Sequence, residues 1–108
     1  MLRVYTLVLD LIRQLRSVVG VIERKDRDLA RQLRRASASI ALNLAEGTYS
    51  RGKNRSVRYH TALGSARETW SCLEVAAAAG YIRPLEPALL ARLSQITGTL
   101  VRLVERAQ

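Results

Sequence analysis

The chain has 108 residues, 48% of them apolar, and a formal net charge of +9 from 18 basic and nine acidic residues. This length suits a single domain spanning residues 1–108, with a core that needs neither a metal nor a disulfide. No apolar run reaches the roughly 18 residues of a membrane span, and Asp10 interrupts the first apolar stretch too early for a secretory signal. We therefore expect a cytoplasmic protein with no membrane partner.

The first predicted helix covers about residues 2–22. Two apolar seams with three- and four-residue spacing overlap along it, one starting at Tyr5 and the other at Val4. Together they form an apolar face that is wider than one neighbouring helix would cover. This width favours burial on two sides, in a tight bundle or in an oligomer.

The second predicted helix covers about residues 28–46. The charged segment from Glu23 to Asp28 is predicted to be a turn, in which Asp26 or Asp28 can cap the helix that follows. The core stripe of this helix is spaced by three and four residues and comprises Leu29, Leu33, Ala36, Ile40 and Leu44.

Gly47 is predicted to end the second helix, and residues 48–54 to form a loop. The third predicted helix covers about residues 55–79 and carries a seam of larger side chains that includes Tyr59 and Trp70. A second seam contains small side chains, which would let another helix approach closely. The small seam comprises Ala62, Ser65, Thr69, Cys72, Ala76 and Ala79.

The fourth predicted helix covers about residues 87–106, and Pro87 stands in its first turn, where proline is tolerated. No segment shows the two-residue alternation of a strand. Four helices with short connections predict an all-α, antiparallel, up-down-up-down four-helix bundle. The apolar seam of the last helix comprises Leu89, Leu93, Ile96, Leu100, Leu103 and Ala107.

The positive charge is concentrated in residues 24–58, the basic segment. It contains ten basic and three acidic residues, a net +7, whereas each flank contributes +1. Five arginines project within roughly 100° of one another if one helix carries them all, opposite the core stripe, and we call them the arginine ridge: Arg24, Arg27, Arg31, Arg34 and Arg35. Such a one-sided ridge is typical of a surface that binds a polyanion. The candidate nucleic-acid contacts are this ridge together with Lys25, Arg51, Lys53, Arg55 and Arg58.

Three interpretations of the basic segment are open. The planar guanidinium of arginine matches phosphate, which favours RNA or DNA bound through its backbone, with salt-sensitive affinity and little sequence specificity. An acidic partner protein would also fit. The third interpretation is a solvated helix face, although the excess of one charge sign argues against it. Base stacking is not indicated, because Tyr49 is the one aromatic residue in the predicted basic loop.

No enzyme active site is indicated. His60 and Cys72 are the only histidine and cysteine, and their separation on the third predicted helix, about 18 Å along its axis, is too great for a nucleophile and its base. We expect a buried, inert thiol and a histidine at the surface or at an interface. A single histidine and a single cysteine also indicate no metal site, and no cofactor motif is present.

Two glutamates, Glu46 and Glu68, would approach each other if the second and third helices packed antiparallel. Glu46 and Glu68 would then form either a pair for acid/base chemistry or part of a polar cluster with Asn43 and Ser65. We favour the polar cluster, since such carboxylates more often bind arginines or backbone groups.

Three groups of spaced residues occur in an order that is typical of one family. The first group is Arg34-Arg35-Ala36, Ser39-Ile40, Asn43 and Ala45-Glu46-Gly47; the second is Ala62-Leu63-Gly64-Ser65 with Glu68; the third is Ala79-Gly80-Tyr81-Ile82. They resemble the patterns "RRA..SI..N.AEG", "A.GS..E" and "LGYI" of the four-helix proteins encoded by intervening sequences of 23S ribosomal RNA genes. The resemblance extends from about Tyr5 into the fourth helix. It departs from the family pattern at Ala79, where the third pattern has leucine, and before the second helix, where Ile22-Glu23 replaces a motif ending in proline.

The resemblance implies a left-handed four-helix bundle that assembles into a ring-like homopentamer. It also implies similarity to the accessory proteins of diversity-generating retroelements, which are basic pentamers that bind nucleic acid and a reverse transcriptase. No catalytic residues carry over, and we assign a structural role to the motif residues Asn43, Glu46, Ser65 and Glu68. We therefore expect a non-enzymatic, oligomeric nucleic-acid-binding protein. The alternative is a scaffold or accessory subunit that docks an acidic partner such as a reverse transcriptase.

Overall fold

Four helices account for most of the chain. The structure is a computed structural model in which residues 2–107 are described. Its helices are α1 (Arg3–Lys25), α2 (Arg27–Tyr49), α3 (Gly52–Ala78) and α4 (Pro87–Ala107). No strand occurs within residues 2–107, so the predicted all-α four-helix fold is confirmed.

The connection between α1 and α2 is the single residue Asp26, and the longer turn predicted for Glu23–Asp28 is wrong. The backbone of Asp26 is extended, and its N–H donates to the carbonyl oxygen of Ile22 at 2.7 Å. Its carboxylate accepts a hydrogen bond from the backbone N–H of Leu29 at 3.0 Å and one from the hydroxyl of Tyr81 at 3.3 Å. One side chain therefore caps α2 and also holds the segment between α3 and α4.

The connection between α2 and α3 is also shorter than predicted, because only Ser50 and Arg51 separate the two helices. Gly47 does not end α2, and the loop predicted for residues 48–54 is helical at both ends. Gly52 has a φ of +56°, in the left-handed region that favours glycine. This conformation lets α3 begin two residues after α2 ends.

The most extensive helix contact is between α2 and α3, and small residues allow it. Gly47 is buried, and a Cβ atom at this position would lie 2.5 Å from Cε1 of Tyr59, whose ring is itself buried. Gly47 is thus required by a close approach and not by a helix end. The buried members of the small seam on α3 are at most 3% exposed and comprise Ala62, Thr69, Cys72 and Ala76.

The hydrophobic core receives large side chains from every helix. The two seams predicted on α1 are unequal: Val4 lies in the core, whereas Tyr5 and Ile12 are half-buried. On α4, the predicted seam contains Leu103, but the buried side chain is that of its neighbour Val104. The largest fully buried aliphatic side chains are Leu11, Leu15, Ile22, Leu33, Ile40, Leu44, Leu73, Leu93, Ile96 and Leu100.

Replacing Gly47 by alanine is expected to lower the free energy of unfolding by about 1–3 kcal/mol, because the added methyl group overlaps the buried ring of Tyr59. Gly64→Ala is the matched control, since Gly64 is exposed on α3 and no atom lies within 4 Å of its Cβ position. The control should gain about 0.5–1 kcal/mol from helix propensity. Urea unfolding at one protein concentration measures both, and equal stability of the two variants would contradict the packing.

Replacing Asp26 by alanine is expected to cost about 0.5–2 kcal/mol of stability, because α2 loses its cap and Tyr81 loses its acceptor. Asp28→Ala removes the same charge two residues later, where the carboxylate pairs with Arg31 in solvent, and should change stability less. Thermal unfolding followed by circular dichroism compares them. If Asp28→Ala proved the more damaging change, the assignment of the cap to Asp26 would be wrong.

Candidate nucleic-acid interface

All ten basic residues predicted to contact nucleic acid are exposed. They form two clusters at opposite ends of α2, whose 23 residues span about 34 Å. Arg34 and Arg35 lie between the clusters. The first cluster comprises Arg24, Lys25, Arg27 and Arg31, and the second comprises Arg51, Lys53, Arg55 and Arg58.

The arginine ridge is not continuous. Arg24 lies in the last turn of α1, on the other side of Asp26 from the arginines of α2. Arg34 is turned towards α1, where its two terminal nitrogens donate to the two carboxylate oxygens of Glu23 at 2.9 and 3.1 Å. The hydrogen bond and the positive charge of Arg34 lower the pKa of Glu23, and the same hydrogen bond raises the pKa of Arg34. The prediction of one five-arginine ridge on a single helix is therefore wrong.

The remaining arginines of α2 are available to a ligand. Arg31 pairs with Asp28 at 2.7 Å, but both side chains are largely in solvent, at 67% and 89% exposure. Such an exposed pair contributes little to stability, so a phosphate can replace the carboxylate at small cost. Within residues 2–107, neither Arg27 nor Arg35 forms an ion pair.

Two arginines of the second cluster also hold the connection between α2 and α3. The Nε–H of Arg55 donates to the carbonyl oxygens of Gly47 and Ser50 at 3.2 and 3.0 Å, and it thereby satisfies carbonyls at the end of α2. Arg58 donates to Oδ1 of Asn43 at 3.3 Å. Arg55 and Arg58 therefore form hydrogen bonds within the fold, and the sequence did not predict these bonds.

An open groove of about 580 Å³ lies between the outer sides of α2 and α3. Polar contacts cross between the two helices at its floor, where the hydroxyl oxygens of Ser39 and Ser65 lie 2.7 Å apart. Nδ2 of Asn43 donates to the carbonyl and hydroxyl oxygens of Ser39, and Glu68 accepts a bond from Gln32 at 3.4 Å. The motif residues Ser65 and Glu68 thus join α2 to α3, and Asn43 does so by accepting from Arg58.

The structure does not bring Glu46 and Glu68 together. Glu68 lies opposite Gln32, and Glu46 is 14 residues further along α2, a distance of about 21 Å along the helix axis. A carboxylate pair for acid/base chemistry is therefore not formed, and Glu46 does not join the polar cluster with which it was grouped.

His60 and Cys72 are positioned as the sequence predicts. His60 is exposed on α3, whereas Cys72 is 3% exposed within the small seam. Burial raises the pKa of the Cys72 thiol, and the negative charge of Glu68 raises it further. The thiol is therefore held in its unreactive form at neutral pH. No group of three or more potential metal ligands occurs within residues 2–107.

The outer surface of α2 also carries exposed apolar side chains that the sequence pattern did not predict. Leu42 is 65% exposed and Tyr49 is 82% exposed, and both follow Arg35 at intervals of seven residues. Residues seven apart lie on the same side of a helix. This spacing is visible in the sequence, but the sequence predicts a loop at Tyr49, and Leu42 belongs to none of the predicted seams. None of the helices described in residues 2–107 is long and apolar enough to cross a membrane.

The fold and the surface define a class of small, strongly basic, all-helical proteins whose excess charge lies at the two ends of one helix. The comparison with protein families identifies the particular group: the model of the 23S rRNA-intervening sequence protein family matches residues 1–102. The chain belongs to this family, and the resemblance predicted from its spaced motifs is confirmed. The comparisons with curated proteins and with solved structures gave no match.

Proposed function

We propose that this protein is a non-enzymatic nucleic-acid-binding protein that contacts backbone phosphates through the basic segment. The observation that carries the proposal is the exposure of all ten basic residues within a segment of net charge +7. Arginine forks fit phosphate oxygens, and the positive field draws in a polyanion from a distance. The matched family is named for an intervening sequence of ribosomal RNA, which agrees with an RNA-associated role.

We propose further that the helices run up-down-up-down. Contacts between α2 and α3 support this arrangement, because they pair ascending positions on one helix with descending positions on the other: Gln32 with Glu68, Ser39 with Ser65, and Asn43 with Arg58. The one- and two-residue connections also favour antiparallel neighbours.

Self-association into a ring-like pentamer belongs to the same proposal, because it would repeat the basic surface and raise the affinity through multivalency. An apolar groove of about 430 Å³ between α1 and α2, lined in part by Ile12, Val19 and the exposed Ala38, supports further contacts on this side. The half-buried Ile12 lies on the α1 face that the sequence predicts to be covered on two sides.

Neutralising three exposed arginines of α2 tests the phosphate contacts. The variant Arg27→Gln/Arg31→Gln/Arg35→Gln leaves the Arg34–Glu23 pair intact. If all three contact phosphate, the slope of log affinity against log salt should fall by about three, with weaker binding of every sequence. Fluorescence anisotropy with labelled single-stranded DNA, duplex DNA and structured RNA, titrated with salt, measures both quantities.

The matched control removes three arginines that are also exposed but lie outside the basic segment, as Arg67→Gln/Arg83→Gln/Arg106→Gln. Both triple variants lose the same amount of the net +9 charge. The control should retain most of the parent affinity and slope. Equal losses in the two variants would show that binding follows net charge alone, and the assignment of the interface would be abandoned.

The mass of the protein in solution tests whether it assembles into the proposed pentamer. A chain of 12.1 kDa is expected to run in multi-angle light scattering at about five times that mass, roughly 60 kDa, if the ring is a pentamer. Native mass spectrometry should give the same stoichiometry. A monomer at micromolar concentration would contradict self-association. It would not decide whether the protein binds nucleic acid.

A protein scaffold is the second candidate function, in which the basic segment docks an acidic partner such as a reverse transcriptase. The exposure of Leu42 and Tyr49 favours it, because apolar side chains on a surface often mark protein contacts. Parent protein that bound no nucleic acid at low salt, yet formed a stable complex with an acidic partner, would support this second function over the first.

A further inference from the structure

Exposed apolar side chains are concentrated where the charge is concentrated. Five large apolar side chains are exposed within residues 2–107, and three of them, Leu42, Tyr49 and Val57, belong to the basic segment. Tyr49 is the most exposed of all, at 82%. A surface that binds phosphates alone gains nothing from exposed apolar groups, so this coincidence suggests a ligand that offers both anionic charge and apolar faces.

Tyr49 is displayed from a rigid position. It lies in the last turn of α2, and the Nε–H of Arg55 holds the carbonyl oxygens of Gly47 and Ser50, which flank it in the chain. Gly47 is in turn fixed by its close contact with the buried ring of Tyr59. A ligand that contacts the Tyr49 ring therefore orders little of the backbone, which limits the entropic cost of binding.

Basic residues follow the ring directly in the chain. Arg51 and Lys53 are exposed within four residues of Tyr49, and the second cluster continues to Arg58. The ring is thus followed closely in the chain by exposed positive charges that could hold the phosphates on either side of a base. The sequence indicates no base stacking, because Tyr49 is a single ring in a predicted loop. The structure instead places this ring on α2 with 82% of it exposed, and one ring is sufficient for one base, because every base has a face that can stack.

We propose that Tyr49 stacks against an unpaired base of a single-stranded nucleic acid, with Arg51 and Lys53 contacting the neighbouring phosphates. A duplex keeps its bases stacked inside and presents phosphates at its surface, so Tyr49 adds nothing to duplex binding. This inference rests on the proposed function and adds the class of ligand. An acidic partner protein would use the same exposed ring without any preference for single strands.

The test compares Tyr49→Ala with the parent protein. Binding of a fluorescein-labelled pyrimidine oligonucleotide, as single-stranded RNA and DNA, is measured beside a duplex of the same length. Tyr49→Ala should weaken single-strand binding by between about five- and a hundredfold, as expected for the loss of one stacked base. Duplex affinity and the salt slope should stay unchanged, because no charge is removed. Tyr49→Phe and Tyr49→Trp should retain single-strand binding.

Val75→Ala is the matched control, because Val75 is 54% exposed on α3, outside the basic segment, and its removal should leave all affinities unchanged. Circular dichroism checks that each variant keeps its helices. Unchanged single-strand affinity in Tyr49→Ala, which a protein-docking role of the ring would also give, overturns the inference. So does an equal loss for single strand and duplex.

Failure of this inference is distinguishable from failure of the proposed function. If the parent binds single strands with a steep salt dependence and Tyr49→Ala matches it, phosphate binding stands and base stacking is wrong. If the parent binds none of the oligonucleotides at low salt, both are wrong.

Discussion

The close approach of α2 to α3 is the constraint on which the rest of the structure depends. Gly47 has no Cβ because the ring of Tyr59 occupies that space, and four of the six residues of the small seam of α3 are buried. With α3 on one side and α1 on the other, α2 has one surface left for solvent. The arginines of α2, together with Leu42 and Tyr49, occupy that surface. The candidate interface is therefore a consequence of how tightly the two helices pack.

The short connections decide how the charge is distributed. Asp26 alone joins α1 to α2, and it can do so because its backbone ends one helix while its carboxylate begins the next. Ser50 and Arg51 alone join α2 to α3. These short connections leave basic residues at both ends of α2, with Leu42 between them and Tyr49 at the second end. A longer loop after α2 would have left Tyr49 on a mobile segment, where ordering it would cost binding free energy.

The periodicity of apolar residues was sufficient to predict the four helices and most of their buried seams, because residues spaced by three and four lie on the helix face that packs into the core. It was insufficient at the helix ends. Gly47 resembles a helix stop, yet its role is set by Tyr59, a contact across 12 positions that no local pattern reveals. The sequence does not decide whether Asp26 or Asp28 caps the second helix. The hydrogen bond from the backbone N–H of Leu29 to Asp26 identifies Asp26 as the cap. The ten basic residues were correctly placed at the surface, but the assumed helix start put Arg24 on the wrong helix.

Charge and apolar exposure together restrict the ligand more than either does alone. An arginine surface by itself fits a duplex, a single strand or an acidic protein, since all present anionic oxygens. Exposed leucine and tyrosine by themselves fit a protein or a base. A helix docked along α2 would have to continue past Tyr49, where α2 ends and Arg51 and Lys53 follow, whereas a flexible strand can bend at that point. The end of α2, where an exposed aromatic ring is followed within four residues by two exposed cations, therefore fits a single strand better than a second helix.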